Sequence, residues 1–562
     1  MYFTLGVSAA TPEGCAALTD RALAVDASVM PVPGPAEVTW RSGDGRAALL
    51  RWGGPHGAAE ALRDGVGGTA GTGGTGGAAG ASHAGTIWAG APEPDGGRGT
   101  LCARTSVTRV DPVYLAEVSG AAVVADRATW AAWTVSRLGD HAPLHLCALL
   151  NPGFPLGSVT PFSGVAAVPG STTLRLRDGV VTRVQGVGHL PSGASWPAPR
   201  SVGAREVAEG LVAAVAPLRE AGEPVELSLT GGKDSRLIAA ALVKAGVPVV
   251  ARTHGFDDHP DVVVAAEIAR RLGIEHVVRT PAAPGQRVDV LGRIRATVLV
   301  ADGMLSAFEN VGRPDPAASP ALTAGGHGGE LLRGGYAETA GRRGGAGGLR
   351  GAVAPARRAA RSAELLRRLT TKHLSLIRRG PAAAYAASLA PWTPRVARRP
   401  LHALDDFYLV NRAGRWSAAA RQAYLLRERL VQPLFDDRVV LAARAVPLTE
   451  RVSGALSAAV LAELSPALAD VPLAGKPPAG TQAPFDWRRQ YGEAITTLLR
   501  GYILDLDTTS ALFDVVSRPA AERLLTPPHA DRASVWALAT AACLVSGDYR
   551  KARETTQQLP VT

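Results

Sequence analysis

The chain has 562 residues, more than one hydrophobic core accommodates, so two or more domains are expected. Hydrophobic residues make up 46% and charged residues 19%, an ordinary globular balance, and no run approaches the roughly 18 to 20 apolar residues of a membrane span. The net charge of +11 would suit nucleic acid, an anionic membrane face or an acidic small substrate. Arginine far outnumbers lysine and Ala and Gly abound, so the charge reads as compositional drift, and neither a nucleic-acid nor a membrane partner is expected.

The opening MYFTLGVSAATPEGC lacks the positive charge before an apolar run that marks a secretory signal, and a cytoplasmic location is expected. From there to about residue 190 the chain reads as short strands and turns, with strands at 121–125, 172–176 and 180–184. Residues 65–80, almost all Gly, Ala and Thr, read as a flexible loop. Pro-rich 191–199 reads as a linker. Beyond it the pattern alternates: helix 205–221, strand 225–229, helix 235–245, strand 249–253, helix 262–272, which predicts a parallel, doubly wound sheet. Helices are expected at 359–377, 418–430 and 437–445, with a mobile Gly/Arg-rich loop over 341–360. Cys15, Cys102, Cys147 and Cys543 are scattered without a Cys-x-x-Cys pair, which argues against zinc, a disulfide framework or a redox centre.

The sharpest segment is Thr230-Gly231-Gly232-Lys233-Asp234-Ser235, set between an expected strand and an expected helix. Glycines let the backbone turn and present its N–H groups as an anion nest, and the new helix adds its positive end. With hydroxyls at Thr230 and Ser235, and Asp234 placed to ligate Mg²⁺, such a loop suits pyrophosphate. The spacing is not that of a Walker loop.

The segment resembles the Ser-Gly-Gly-x-Asp-Ser loop of enzymes that split ATP between its α and β phosphates, with Thr230 for the first Ser. A second block, Gly325-Gly326-His327-Gly328-Gly329-Glu330-Leu331-Leu332-Arg333-Gly334-Gly335-Tyr336, resembles Ser-Gly-x-Gly-x-Asp-Glu-x-x-Gly-Gly-Tyr of asparagine synthetases and β-lactam synthetases. Glu330 falls on that family's metal-binding Asp, and Leu331 on its Glu, which leaves the second carboxylate's role unfilled. His327 falls on a variable position; it reads equally as an acceptor for an amine's proton and as a hydrogen-bonding loop residue. Ala474-Gly475-Lys476-Pro477-Pro478 resembles the late loop carrying the family's catalytic lysine, and Lys476 is one of only five lysines, although an exposed loop lysine is the plain alternative. The stretch from Gln432 to Pro447 resembles a structural segment of the same domain, with Asp436 capping the helix that follows. Ala125-Asp126-Arg127, Asn151-Pro152-Gly153-Phe154 and Thr160-Pro161-Phe162-Ser163-Gly164 resemble the family's glutaminase half, whose nucleophile is a cysteine in second place; here that place holds Tyr2, and Cys15 lies too far along to substitute.

The resemblance implies an α/β protein in two domains. Residues 1–195 would form a β-rich αββα (Ntn-type) glutaminase-like domain without its cysteine. Residues 200–562 would form a doubly wound, parallel-sheet pyrophosphate-loop synthetase domain with a helical last third. ATP and Mg²⁺ are the implied cofactors, the metal held by Asp234 and Glu330. Thr230, Gly231, Gly232, Lys233, Ser235, Gly325 and Gly326 would bind phosphates, Leu229 and Thr253 would border the adenosine, and Lys476 and His327 would be catalytic. Among relatives with a silent glutaminase half, the loops look most like those of lasso-peptide cyclases. Their substrate is a leaderless core peptide, supplied through a leader peptidase and a leader-binding protein. A β-lactam or other small-molecule amide synthetase, an asparagine-synthetase-like enzyme using free amine, a transfer-RNA thiolase (which usually needs paired cysteines) and a non-catalytic peptide-binding scaffold are the alternatives.

Overall fold

The computed structural model describes residues 3–26, 28–31, 36–52, 86–89, 99–186, 203–280, 287–309, 311, 321–342, 355–426, 429–478, 481, 488–489, 491–526, 532–554 and 558–560. The expected loop at 65–80 and linker at 191–199, and most of the expected 341–360 loop, lie outside these residues.

Among the described residues of the N-terminal half are ten strands: β1 (Phe3–Ala9), β2 (Ala36–Arg41), β3 (Ala47–Trp52), β4 (Thr86–Ala89), β5 (Leu101–Arg104), β6 (Tyr114–Val118), β7 (Ala121–Ala125), β8 (Val165–Ala167), β9 (Thr172–Arg177) and β10 (Val180–Gln185). They form an antiparallel sheet in the order β2-β3-β1-β7-β6-β8 and a second in the order β10-β9-β5-β4. Strand alternation explains the stacking. On β9, Thr172, Leu174 and Leu176 turn inward while Arg175 is exposed. Leu174 and Leu176 meet Leu101, Ala103, Leu49 and Val124 between the sheets. The far face of the larger sheet packs on helices α1 (Pro12–Leu23), capped by Thr11, and α2 (Ala128–Thr134). Among the described residues no helix covers the outer face of the smaller sheet, where Arg104 and Arg175 meet water. Trp88 on β4 and Val180 and Val184 on β10 are exposed on the same sheet; the described residues show three layers, αββ, of the expected αββα sandwich.

The C-terminal half contains a five-stranded, wholly parallel sheet. Its strands are β11 (Val225–Ser228), β12 (Val249–His254), β13 (Glu275–Arg279), β15 (Leu322–Ala324) and β16 (Arg429–Val431), in the order β13-β12-β11-β15-β16. A separate ribbon pairs β14 (Arg287–Asp289) with β17 (Gln558–Pro560). Helices α3 (Ala204–Val215), α4 (Lys233–Lys244) and α5 (Pro260–Leu272) share the core of that sheet through Val207, Leu211, Leu237 and Ile268. The chain steps outward from β11 to β13 and then returns to the other side of β11 at β15. The order reverses between those two strands, the position at which open α/β sheets bind ligands. The expected helix at 418–430 instead stops at Tyr424, and Arg429–Val431 forms edge strand β16 beside β15.

The two halves share one continuous core in which Leu5 and Val7 join Leu299, Trp536 and Leu538. Arg127 and Asp302, both fully buried, pair across it; Arg127 also donates to the carbonyls of Leu299 and Val300, each at 2.8 Å. The last third is helical, and it includes a π-helical run, Tyr408–Ser417.

Candidate functional site

Both glycine blocks leave the carboxyl ends of the neighbouring strands β11 and β15. In the first, Ser235 folds its hydroxyl back on Thr230, accepting from the Thr230 amide at 3.1 Å and donating to the Thr230 carbonyl at 3.1 Å. The Gly232 amide donates to Thr230 Oγ1 (3.2 Å), and the Gly231 amide to Asp261 Oδ1 (3.0 Å). A carboxylate thus sits on the nest where an anion was expected, and these two amides already have acceptors. Helix α4 begins directly after Gly232, which supplies no side-chain cap, an arrangement in which first-turn amides can bind an anion.

The second block folds over the first. A Cβ on Gly329 would stand 2.0 Å from the Asp234 carboxyl carbon, and one on Gly326 2.8 Å from the Ser235 amide nitrogen, so only glycine allows the loops to meet. Asp234 is paired with Arg333 through both terminal guanidinium nitrogens, and Arg333 Nε donates to Glu338 at 3.0 Å. Lys233 Nζ lies 3.9 Å from Glu338. Glu330 accepts from Tyr408 Oη at 3.0 Å. Burial pushes the Asp234 carboxyl up, Arg333 pulls it down, and the nearby Glu330 and Glu338 push it up again. Three carboxylates thus face two side-chain cations, an excess of negative charge that suits a divalent ion. Among the described residues no group of three or more His, Cys, Asp or Glu could hold a metal by itself. Asp234 and Glu330 fit Mg²⁺ of the kind that takes its other ligands from phosphate and water. Leu331, where the family has its second acid, is buried beside Leu409 and Phe435. His327 is exposed on the loop.

A third loop docks on the first. The Ala474 amide donates to Gly231 O (3.0 Å), and a Cβ on Gly231 would stand 2.4 Å from that of Ala474. Arg236, only 3% exposed, clamps the two together: it donates to the carbonyls of Gly231 (2.9 Å) and Gly232 (3.0 Å) on one side and of Val471 (2.8 Å) and Pro472 (3.0 Å) on the other. Lys476 follows two residues later and is exposed.

The other expected site residues are placed differently. Leu229 is fully buried in the sheet core, so only its backbone could border a nucleotide. Thr253 is also buried, with Oγ1 bound to Leu229 O (2.8 Å) and His276 Nε2 (2.8 Å). Asp436 caps its helix as expected, accepting from the Arg438 amide at 2.8 Å. Sequence reasoning missed Arg236, Asp261, Arg333, Glu338 and Tyr408. Arg236 and Arg333 lie within or beside the motifs, but nothing in the spacing tells what they touch.

The family model of asparagine synthase matches residues 206–541, more than half of the chain. No curated protein matches the chain.

Proposed function

Because the chain belongs to the asparagine synthase family, and so forms amide bonds at the expense of ATP, we propose that it is an AMP-forming macrolactam synthetase of the lasso-peptide type. The observation that carries this reading is the meeting of the two glycine blocks at the switch point of the sheet, with Asp234 and Glu330 beside uncapped helix amides. A side-chain carboxylate of a leaderless peptide attacks the α-phosphorus of ATP. The bond between the α-phosphorus and the bridging oxygen breaks, pyrophosphate leaves, and an acyl-adenylate remains. The peptide's N-terminal amine then attacks the acyl carbon, AMP departs with the oxygen, and the amine's proton passes to a base.

Each residue has a task in that sequence. First-turn amides of α4, with Thr230 and Ser235, hold the pyrophosphate; Gly231, Gly232, Gly325 and Gly326 admit it closely; Lys233 and Arg333 offset its charge. Asp234 and Glu330 would hold Mg²⁺, which when bound neutralises phosphate charge. Lys476 stabilises charge on the α-phosphate, and His327 accepts the amine's proton. The backbone of Leu229 and Thr253 borders the adenosine. Holding both ends of one peptide together supplies much of the rate. Buried Cys15, Cys147 and Cys543, with thiols raised by burial, support an amine drawn from the substrate itself rather than ammonia from glutamine. A separate peptidase, with a leader-binding protein, would deliver the leaderless peptide.

The test is product analysis with ATP, Mg²⁺ and a core peptide bearing a free N-terminus and an internal Asp or Glu. A peptide lighter by one water, formed with equimolar AMP, supports the proposal. ADP as the nucleotide product refutes it, and adenylation of only small carboxylates moves the assignment to a small-molecule amide synthetase.

A further inference from the structure

The net charge is not spread over the molecule. Residues 355–399 contain eleven Arg or Lys and a single acid, Glu364, whereas the rest of the chain contains 49 basic and 48 acidic residues. Composition drift alone would distribute that excess. Seven of these eleven lie on two helices, α7 (Pro355–Thr370) and α8 (Trp392–Arg398); α7 packs on α8, on α6 (Tyr336–Arg342), which follows the second glycine block, and on α9 (Pro400–Phe407).

Helix α7 turns Leu365, with Leu366 and Leu369, toward Ala337 of α6 and toward Leu404 and Leu448. Its opposite side exposes Arg357, Arg361, Arg367 and Arg368, and Arg398 and Arg399 are exposed at the end of α8. Glu364 pairs with Arg367 (2.7 Å) and Arg368 (2.6 Å), and these arginines hold its carboxyl far down. One acid cannot balance this surface. The apolar side of α7 rests on the segment that leaves the Glu330 loop, and α9 continues into Tyr408, which holds Glu330.

We propose that the α7–α8 face is the landing surface for an acidic stretch of the polypeptide substrate. The inference rests on the reading above, in which the group activated is a peptide carboxylate. An enzyme that consumes anionic peptides gains from a positive field on the frame of its site, because such a field raises encounter rates about 10- to 1,000-fold. The field works within a Debye length of about 8 Å at physiological ionic strength, so its benefit falls as salt rises.

The test compares the full-length wild type with a variant carrying Arg357→Gln, Arg361→Gln, Arg398→Gln and Arg399→Gln, and with a second variant carrying lysine at the same four places. The probes are fluorescent oligoglutamate, an oligoglutamine of equal length, short single-stranded DNA and phosphatidylserine vesicles. Expected are wild-type binding of oligoglutamate that weakens at least tenfold between low and high salt, at least tenfold loss in the glutamine variant, and retention in the lysine variant. Equal oligoglutamate affinity in wild type and glutamine variant overturns the proposal, as does tighter binding of DNA or vesicles than of oligoglutamate. ATP–pyrophosphate exchange on the same samples keeps the two readings apart. Exchange present with binding unchanged by the four substitutions refutes the surface alone. Exchange absent with the binding pattern as expected refutes the ligase chemistry and supports the surface.

Discussion

Replacing Arg236 by methionine keeps the reach of the side chain but removes every donor it uses. Four carbonyls lose the Arg236 bond: Gly231 (which keeps the Ala474 amide) and Gly232 in the glycine loop, Val471 and Pro472 in the late loop. Hydrogen bonds from a charged group contribute about 1.5–3 kcal/mol each. The cost of burying the guanidinium, which also lowers its pKa, offsets a large part of that. A net loss of about 3 kcal/mol is expected, in line with removal of one partner from a buried charged network. Since about 1.4 kcal/mol is tenfold, the population with the late loop undocked should rise more than a hundredfold. The core packing of β11 and α4 does not depend on Arg236, so the loss should appear locally. Hydrogen exchange of the Ala474 amide, which donates to Gly231, reads it directly. With Lys476 displaced, kcat should fall at least tenfold while KM for ATP changes less. Unchanged protection of Ala474 together with unchanged kcat would refute the clamp.

Three further outcomes follow from buried groups. Arg127→Ala or Asp302→Ala leaves one charge buried alone between the halves and should cost about 3–5 kcal/mol in urea unfolding; a loss below about 1 kcal/mol would show that the pair does not bind the halves together. His145 is fully buried with Nε2 at 3.0 Å from Gly303 O, and burial pulls its pKa down to about 3. The folded protein therefore keeps it neutral while the unfolded chain takes up a proton below about pH 6.5. Stability is full above that value and falls by about 1.4 kcal/mol per pH unit down to about pH 3. Between pH 6.5 and 5 wild type should lose about 2 kcal/mol more than His145→Gln; parallel pH profiles would contradict this. Cys15→Ala should leave ATP–pyrophosphate exchange unchanged, and native Cys15, buried with its thiol pushed up, should resist alkylation; rapid labelling would contradict its burial.

What could be read in the sequence, and what could not, divides on physical lines. Strand β11, the loop 230–235 and α4 were legible because an apolar run, two glycines and an amphipathic helix adjoin locally. The helix Asp437–Ala445 appears at its expected ends because Asp436 caps it. β15 and β16 are three residues each, too short to show a period, and Leu430 accordingly reads as the end of a helix although it pairs with Thr323. The bond of Gly231 to Asp261 and that of Arg333 to Asp234 span 30 and 99 residues. No local pattern encodes such contacts, and they change how the nest and the metal-binding carboxylate are described. The αββα layering of the N-terminal half came from the family resemblance, and the described residues carry three of its layers.

The central claim is that a peptide carboxylate is adenylated at the meeting of the two glycine blocks. ATP–pyrophosphate exchange with Mg²⁺ tests it most directly, in wild type and Asp234→Ala, with and without an acidic core peptide. The account predicts exchange that requires the peptide and disappears in the variant. Exchange that persists in folded Asp234→Ala, or no exchange with any carboxylate in folded wild type, would contradict it.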